Sequence, residues 1–227
     1  MQHHQESSVL RHCTLHRISA TMPGATSILR DFGLDIWRDS NLTLAQAAEN
    51  NRADVEALET RLSGLLPFRT RDIPEHPGKL IQHIITHYHD VHRYELPRLI
   101  QLAERVEQTH RHHPQCPQGL SIALETLGVD LDTHMRQEEQ VLFRMMQQQP
   151  PRSLAAAIAC MREDHDEHNE LLQKLETLTD GLRLPEDACG SWNLLYRGLA
   201  KFLDDLIVHT HLEEAILFPH FEGAPTH

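Results

Sequence analysis

A phrase able to bind metal occurs twice in this chain. It reads His134-Met-Arg-Gln-Glu138-Glu139-Gln-Val-Leu142-Phe143, and again His209-Thr-His-Leu-Glu213-Glu214-Ala-Ile-Leu217-Phe218. Both are His-x3-Glu-Glu-x2-Leu-Phe, which sets a histidine and a glutamate one turn apart on the same side of a helix. A second shared phrase precedes each copy at nearly equal distance, His89-Asp90-Val-His92 before the first and His165-Asp166-Glu-His168 before the second. Each half therefore offers His…His-x3-Glu. His89, His134, Glu138, His165, His209 and Glu213 together make a set of imidazoles and carboxylates suited to two divalent cations. If both carboxylates bridge, each cation has two nitrogens and two oxygens, with room left for solvent or a small diatomic ligand. Such mixed ligation with open positions favours iron, although manganese or zinc would also bind these groups.

The donors matter only if helices aim them inward, and the flanking apolar residues say that they do. Leu120, Leu124, Leu127 and Leu131 lead to His134 and Glu138, and the stripe continues with Leu142 and Met145. Leu195, Leu199, Phe202 and Leu206 lead to His209 and Glu213, followed by Ile216 and Leu217. Leu154, Ile158 and Met161 precede His165, and Leu172 and Leu175 follow it; Ile81 and Ile85 precede His89, and Leu96, Leu99 and Ala103 follow it. Steps of three and four mark the core-facing side of a helix. Two carboxylates buried together are costly, and a pair of cations would offset that cost. Asp130 and Asp205 each stand four residues before a donor histidine. They are expected to accept the free ring N–H of His134 and His209, fixing the tautomer that faces the metal. His92 and His168 also repeat, and are read as supporting or packing groups rather than ligands. Glu107-x2-His110 is the one Glu-x2-His pair of this region, so the ferritin type of site is not supported.

A duplicated pair of long helices with short connections predicts an all-α protein, an antiparallel up-down-up-down four-helix bundle. Its helices are expected over about 79–110, 120–148, 153–179 and 191–218. Pro97 lies inside the first, and Pro150-Pro151 stops the second. Residues 67–78, with Pro67, Pro74, Pro77 and Gly78, have the composition of a linker. Ahead of it, residues 21–66 read as a small helical domain with Thr43 and Asp54 as helix caps. Residues 1–20 read as a flexible N-terminus, where His12, Cys13 and His16 form a local polar cluster. The bundle then occupies 79–222.

Composition narrows the function classes. At 227 residues the chain can bury a substantial core, and its formal charge of -12 disfavours a general nucleic-acid or anionic-membrane surface. No apolar run approaches the ~20 residues of a membrane span. The cysteines Cys13, Cys116, Cys160 and Cys189 stand apart with no C-x2-C pair, which fits a reducing cytoplasm.

At the duplicated His…His-x3-Glu phrase the chain resembles the hemerythrin-like RIC family, the di-iron iron–sulfur cluster repair proteins of ScdA and NorA type. The resemblance runs from about residue 21 to the end. It implies a small N-terminal domain of ScdA type and two non-haem iron ions, oxo- or hydroxo-bridged when oxidised. His89 and His209 would serve one iron and His134 and His165 the other, with Glu138 and Glu213 bridging. It further implies a role against nitrosative and oxidative stress: binding nitric oxide or oxygen, reducing nitric oxide, or donating iron to damaged iron–sulfur proteins.

One segment departs from the family. Where its members carry Asp-x-Cys-Cys-Gly-Gly, this chain reads Asp35-Ile36-Trp37-Arg38-Asp39-Ser40. Thiol-dependent steps lose their residues while the bundle's donors are untouched. That shifts the expectation towards nitric oxide binding or scavenging. The competing class is a binding protein that sequesters or senses nitric oxide or oxygen without turnover.

Overall fold

The computed structural model describes residues 10–22, 24–65, 73–148 and 154–222. Helices dominate them, and the single β-bridge joins Thr14 to Thr43. The first nine residues, the stretch 66–72 and Pro150-Pro151 lie outside that set. The chain divides into two compact units, Met1–Ile73 and Pro74–His227.

Among its described residues the first unit packs the short helices α1 (Leu15–Thr21), α2 (Ala25–Asp31), α3 (Leu44–Asn51) and α4 (Val55–Ser63). Side-chain oxygens close the open N–H groups at three of their starts. Thr14 accepts from Arg17, Thr43 and Gln46 form a reciprocal capping box, and Asp54 accepts from Glu56 and Ala57. Leu15, Ile18, Leu29, Leu44, Leu58 and Leu62 fill the interior. Arg11 holds the buried Glu59 through two bonds of 3.0 and 2.6 Å. The expectation of a flexible terminus through residue 20 is thus corrected for its second half. Residues 15–20 are helix, because Leu15 and Ile18 face the core although polar neighbours surround them in sequence.

The second unit is the four-helix bundle. Its first rod joins α5 (Pro77–Ile84) to α6 (Asp90–Thr109) through a π turn at Ile85–His89, and α6 runs through Pro97. The second joins α7 (Leu120–Gln137) to α8 (Phe143–Gln148) through a π turn at Glu138–Leu142. The third is α9 (Ala155–Leu178). The fourth joins α10 (Gly190–His211) to the short α11 (Pro219–Glu222) through a π turn at Leu212–Leu217. The first rod packs on the second and fourth, and the second on the third. None of the described helices is long and apolar enough to cross a membrane.

The π turns correct the stripes read from a plain helical period. Beyond Glu138 the buried residues are Leu142, Phe143 and Met146, with Met145 only partly covered; beyond Glu213 they are Leu217 and Phe218 rather than Ile216. Ile85 is likewise half-buried, and Ile84 and Tyr88 take the core positions. A π turn closes i to i+5 and so inserts one residue, advancing the inward face by one position. Phe143 N–H bonds the Glu138 carbonyl and Phe218 N–H bonds that of Glu213.

Small residues let the rods approach. A Cβ at Gly198 of α10 would stand 2.7 Å from Leu99 Cδ2, and one at Gly128 of α7 would stand 3.0 Å from Leu96 Cδ2. We expect Gly198→Val to lower the bundle's stability by about 1–3 kcal/mol through overpacking. Thermal unfolding followed by helical circular dichroism checks this; an unchanged midpoint would show that Leu99 yields freely.

Candidate metal centre

Three of the four rods place their donors at or beside a π turn. His89 closes the first turn, Glu138 opens the second and Glu213 lies in the third. His134 and His209 precede their glutamates by one α turn, and His165 sits mid-way along α9. All six side chains are deeply buried, from 0 % exposure for His89, Glu138 and Glu213 to 4 % for His165.

The geometry gathers them into two overlapping quartets. One is His89, Glu138, His209 and Glu213; the other is His134, Glu138, His165 and Glu213, each with its donor atoms within 4.8 Å of one another. Nε2 of His89 faces Nε2 of His209 at 3.0 Å, and Nε2 of His165 faces that of His134 at 3.1 Å. Glu138 Oε2 lies 3.5 Å from both His89 and His134, too far for a hydrogen bond. Glu213 meets His209 Nε2 at 3.0 Å through Oε1 and His165 Nε2 at 3.2 Å through Oε2, whereas both Glu138 oxygens are buried without a hydrogen-bond partner among the described residues. Protein interiors rarely leave a carboxylate so. Inward-facing imidazole nitrogens around an unpartnered carboxylate fit divalent cations, ferrous iron among them.

The electrostatics of the pocket agree. Burial, then repulsion from Glu213, pushes the Glu138 carboxyl well above the usual range. Burial also works against a charge on Glu213, but His209, His165 and His89 outweigh it and hold this carboxyl well down. Neighbouring buried carboxyls cannot both ionise cheaply unless positive charge lies between them. Burial opposes a proton on His165 too, yet Glu213 and Glu214 raise it to about 9. Burial, helped by His165, lowers His134 to about 2.

The outer nitrogens of the rings find partners that the sequence reading missed. His89 Nδ1 meets Glu139 Oε1 at 2.8 Å, and His165 Nδ1 meets Glu214 Oε1 at 2.9 Å. Hydrogen bonds from Arg93 and His89 overcome the effect of burial and keep the Glu139 carboxyl below its usual range, so it accepts as a carboxylate. A ring donating Nδ1–H to a carboxylate presents the Nε2 lone pair to a metal. The second glutamate of each Glu-Glu doublet therefore serves the histidine of a neighbouring rod. So does the phenylalanine: Phe143 stacks on His89 at 5.9 Å and Phe218 on His165 at 6.3 Å. The signal was present in the sequence, since the doublet and the phenylalanine both repeat.

The expectation for Asp130 and Asp205 is corrected. His134 Nδ1 faces Asp164 Oδ2 at 3.3 Å. Asp130 instead lines a polar opening of about 190 Å³ with Thr133, His134, Gln137, Asp164, Glu167 and His168. Asp205 Oδ2 takes Lys201 at 2.7 Å, and His209 Nδ1 is without a hydrogen-bond partner while Tyr88 stacks on its ring at 5.7 Å. An acid one turn before a histidine on its own helix lies along the rod, whereas the outer ring nitrogen points across to the next rod. Tyr88 and Asp164 occupy matching places, each just before a donor histidine, so the duplicated halves differ here. His92 and His168 are buried beside the site, their rings 5.4 Å from His209 and 5.0 Å from His134 respectively. Neither belongs to a quartet.

In the first unit, the segment that departs from Asp-x-Cys-Cys-Gly-Gly forms a turn closed by Asp35 Oδ1, which accepts from the N–H groups of Trp37 and Arg38 at 3.0 Å each. Trp37 is buried, and Arg38 pairs with Asp39 at 3.0 Å. The unit's one described thiol is Cys13, whose carbonyl accepts from Leu44 N–H.

Comparison with known proteins places these features. Residues 80–221 match the hemerythrin HHE cation binding domain. The chain is 38% identical over 209 residues to the iron-sulfur cluster repair protein YtfE of Dickeya chrysanthemi, covering 91% of this chain and 95% of that protein. It is 38% identical over 212 residues to the proteins of the same name from Musicola paradisiaca and Yersinia pseudotuberculosis, covering 92% of this chain and 96% of each of those proteins.

Proposed function

This chain belongs to the hemerythrin HHE family and to its iron–sulfur cluster repair branch, and on that footing we propose a non-haem di-iron protein of the nitrosative and oxidative stress response. His89 and His209 hold one iron and His134 and His165 the other, with Glu138 and Glu213 bridging. The observation that carries the reading is that the two quartets share both glutamates. When bound, the irons supply open positions for a small diatomic ligand and electrons for its chemistry. The chain's own part is to fix the rings and keep water out. Glu139, Glu214 and Asp164 hold the outer ring nitrogens, and Phe143 and Phe218 wall the pocket.

The activity proposed is support of cluster repair in damaged iron–sulfur proteins, with nitric oxide as a ligand of the centre. Trp37 and Arg38, at the places of the family's paired cysteines, favour a second reading in which nitric oxide is bound and scavenged without repair.

The test is to reconstitute the full chain with ferrous iron, measure iron content and the optical spectrum before and after nitric oxide, and then follow recovery of a damaged iron–sulfur dehydratase. About two irons per chain, a spectral change with nitric oxide and recovery of the dehydratase would support repair. Nitric oxide binding without recovery would support scavenging. A single tightly held zinc, with no iron taken up, would end both readings. A chain beginning at Gly78, measured alongside, assigns the effects. Recovery that needs residues 1–77 would mean that the first unit contributes without its paired cysteines.

A further inference from the structure

Two pairs of side chains with donor atoms meet at the far end of the bundle, where the loop after α6 meets the loop before α10. His110 and Cys189 are 79 positions apart in sequence, yet Nε2 of the one is 3.1 Å from Sγ of the other. Cys189 occupies the N-cap position of α10 but makes no side-chain cap bond. Its sulfur turns to the imidazole instead of to the helix. Two residues before it, Asp187 is 74% exposed and is held through Oδ1 by His113 Nε2 at 3.2 Å. His113 Nδ1 in turn accepts from Gln115 N–H at 3.1 Å, so the ring's neutral form donates to Asp187 and orients it. The buried Trp192 lies under both imidazoles, at 5.0 Å from His110 and 5.4 Å from His113.

A cysteine sulfur and an imidazole in contact, a carboxylate two residues along the chain from that sulfur, and a histidine bracing the carboxylate are donor types that a zinc-type site draws on. We propose that His110, Cys189 and Asp187 bind one thiophilic divalent cation, with water as the fourth ligand and His113 positioning Asp187. Asp187 has the exposure to swing onto the cation, whereas the close His110–Cys189 contact is already formed. Sulfur gives this site a preference that the oxygen- and nitrogen-lined pocket of the bundle does not share. His89 and His110 are separated by most of α6, ~30 Å at ~1.5 Å per residue. The site therefore binds independently of the iron pocket, and it clamps two loops that no backbone ladder joins.

Cobalt chloride is the probe, added to the full chain after reconstitution with ferrous iron. Only a thiolate ligand gives a sulfur-to-cobalt charge-transfer band in the near ultraviolet, so the difference spectrum is blind to the six-residue pocket. The band is expected in the native chain and in Cys13→Ser, and lost in Cys189→Ser and His110→Gln. Zinc should raise the thermal midpoint of the native chain and leave that of Cys189→Ser unmoved. Asp187→Asn should weaken cobalt binding without abolishing the band. Absence of the band in the native chain would overturn the proposal. So would a band that survives Cys189→Ser and vanishes in Cys13→Ser, because the cation would then sit with His12, Cys13 and His16.

Discussion

Replacing either Glu138 or Glu213 by alanine is expected to empty both halves of the centre, taking iron from about two per chain to well below one. Each carboxylate belongs to both quartets, so its loss removes an anionic donor from each cation at once and leaves each with two neutral imidazoles and one carboxylate. His89→Ala removes a donor from one quartet only and should preferentially empty that half. The glutamate variants should still fold. At Glu138 a buried carboxyl with unpartnered oxygens is exchanged for a methyl group, which costs no hydrogen bond. At Glu213 the exchange also removes the partner of His209 Nε2 at 3.0 Å and of His165 Nε2 at 3.2 Å, so Glu213→Ala is expected to be the less stable of the two. Iron content after anaerobic reconstitution and desalting, with circular dichroism as the check on folding, decides the matter. If Glu138→Ala, Glu213→Ala and His89→Ala all lost the same single iron and kept the other, the shared-carboxylate reading would be wrong.

Glu139→Gln and Glu214→Gln should each weaken iron binding by about 10–100-fold, the usual effect of removing the partner that orients a ligating histidine. Neither glutamate belongs to a quartet; each holds the outer nitrogen of a donor ring from a neighbouring rod at 2.8 or 2.9 Å. An amide can turn its nitrogen to the ring and stabilise the wrong tautomer, turning the Nε2 lone pair of His89 or His165 into an N–H. Asp130→Asn and Asp205→Asn should leave the affinity unchanged, because neither aspartate bonds a donor ring. Iron affinity measured by competition with a chelator separates the cases. Equal losses in all four variants would indicate a general effect of negative charge around the pocket rather than the bonds described here.

The sequence by itself determined the repeat, the helical period and the six candidate donors that the fold then brings together. His89, His134, Glu138, His165, His209 and Glu213 recur with their spacing in both halves, and a side chain's angular place on a helix follows from its position along the chain. Local chemistry also sufficed for Thr43 and Asp54, whose side chains cap the helices they precede.

Only the tertiary structure decided which groups meet across helices. A donor ring's outer nitrogen points away from its own rod, so its partner is chosen by the packing of the neighbour. That is why Glu139, Glu214 and Asp164 take the places expected for Asp130 and Asp205, and why Tyr88 leaves His209 different from His134. The π turns belong here too. An extra residue in a helical turn leaves no mark in composition, and it shows only when Phe143 and Phe218 are found pressed against His89 and His165. Residues 15–20 became helix because Leu15 and Ile18 found a core to enter. The contact between His110 and Cys189 has the same origin, since residues so distant in sequence meet only when the antiparallel rods bring the end of α6 beside the start of α10.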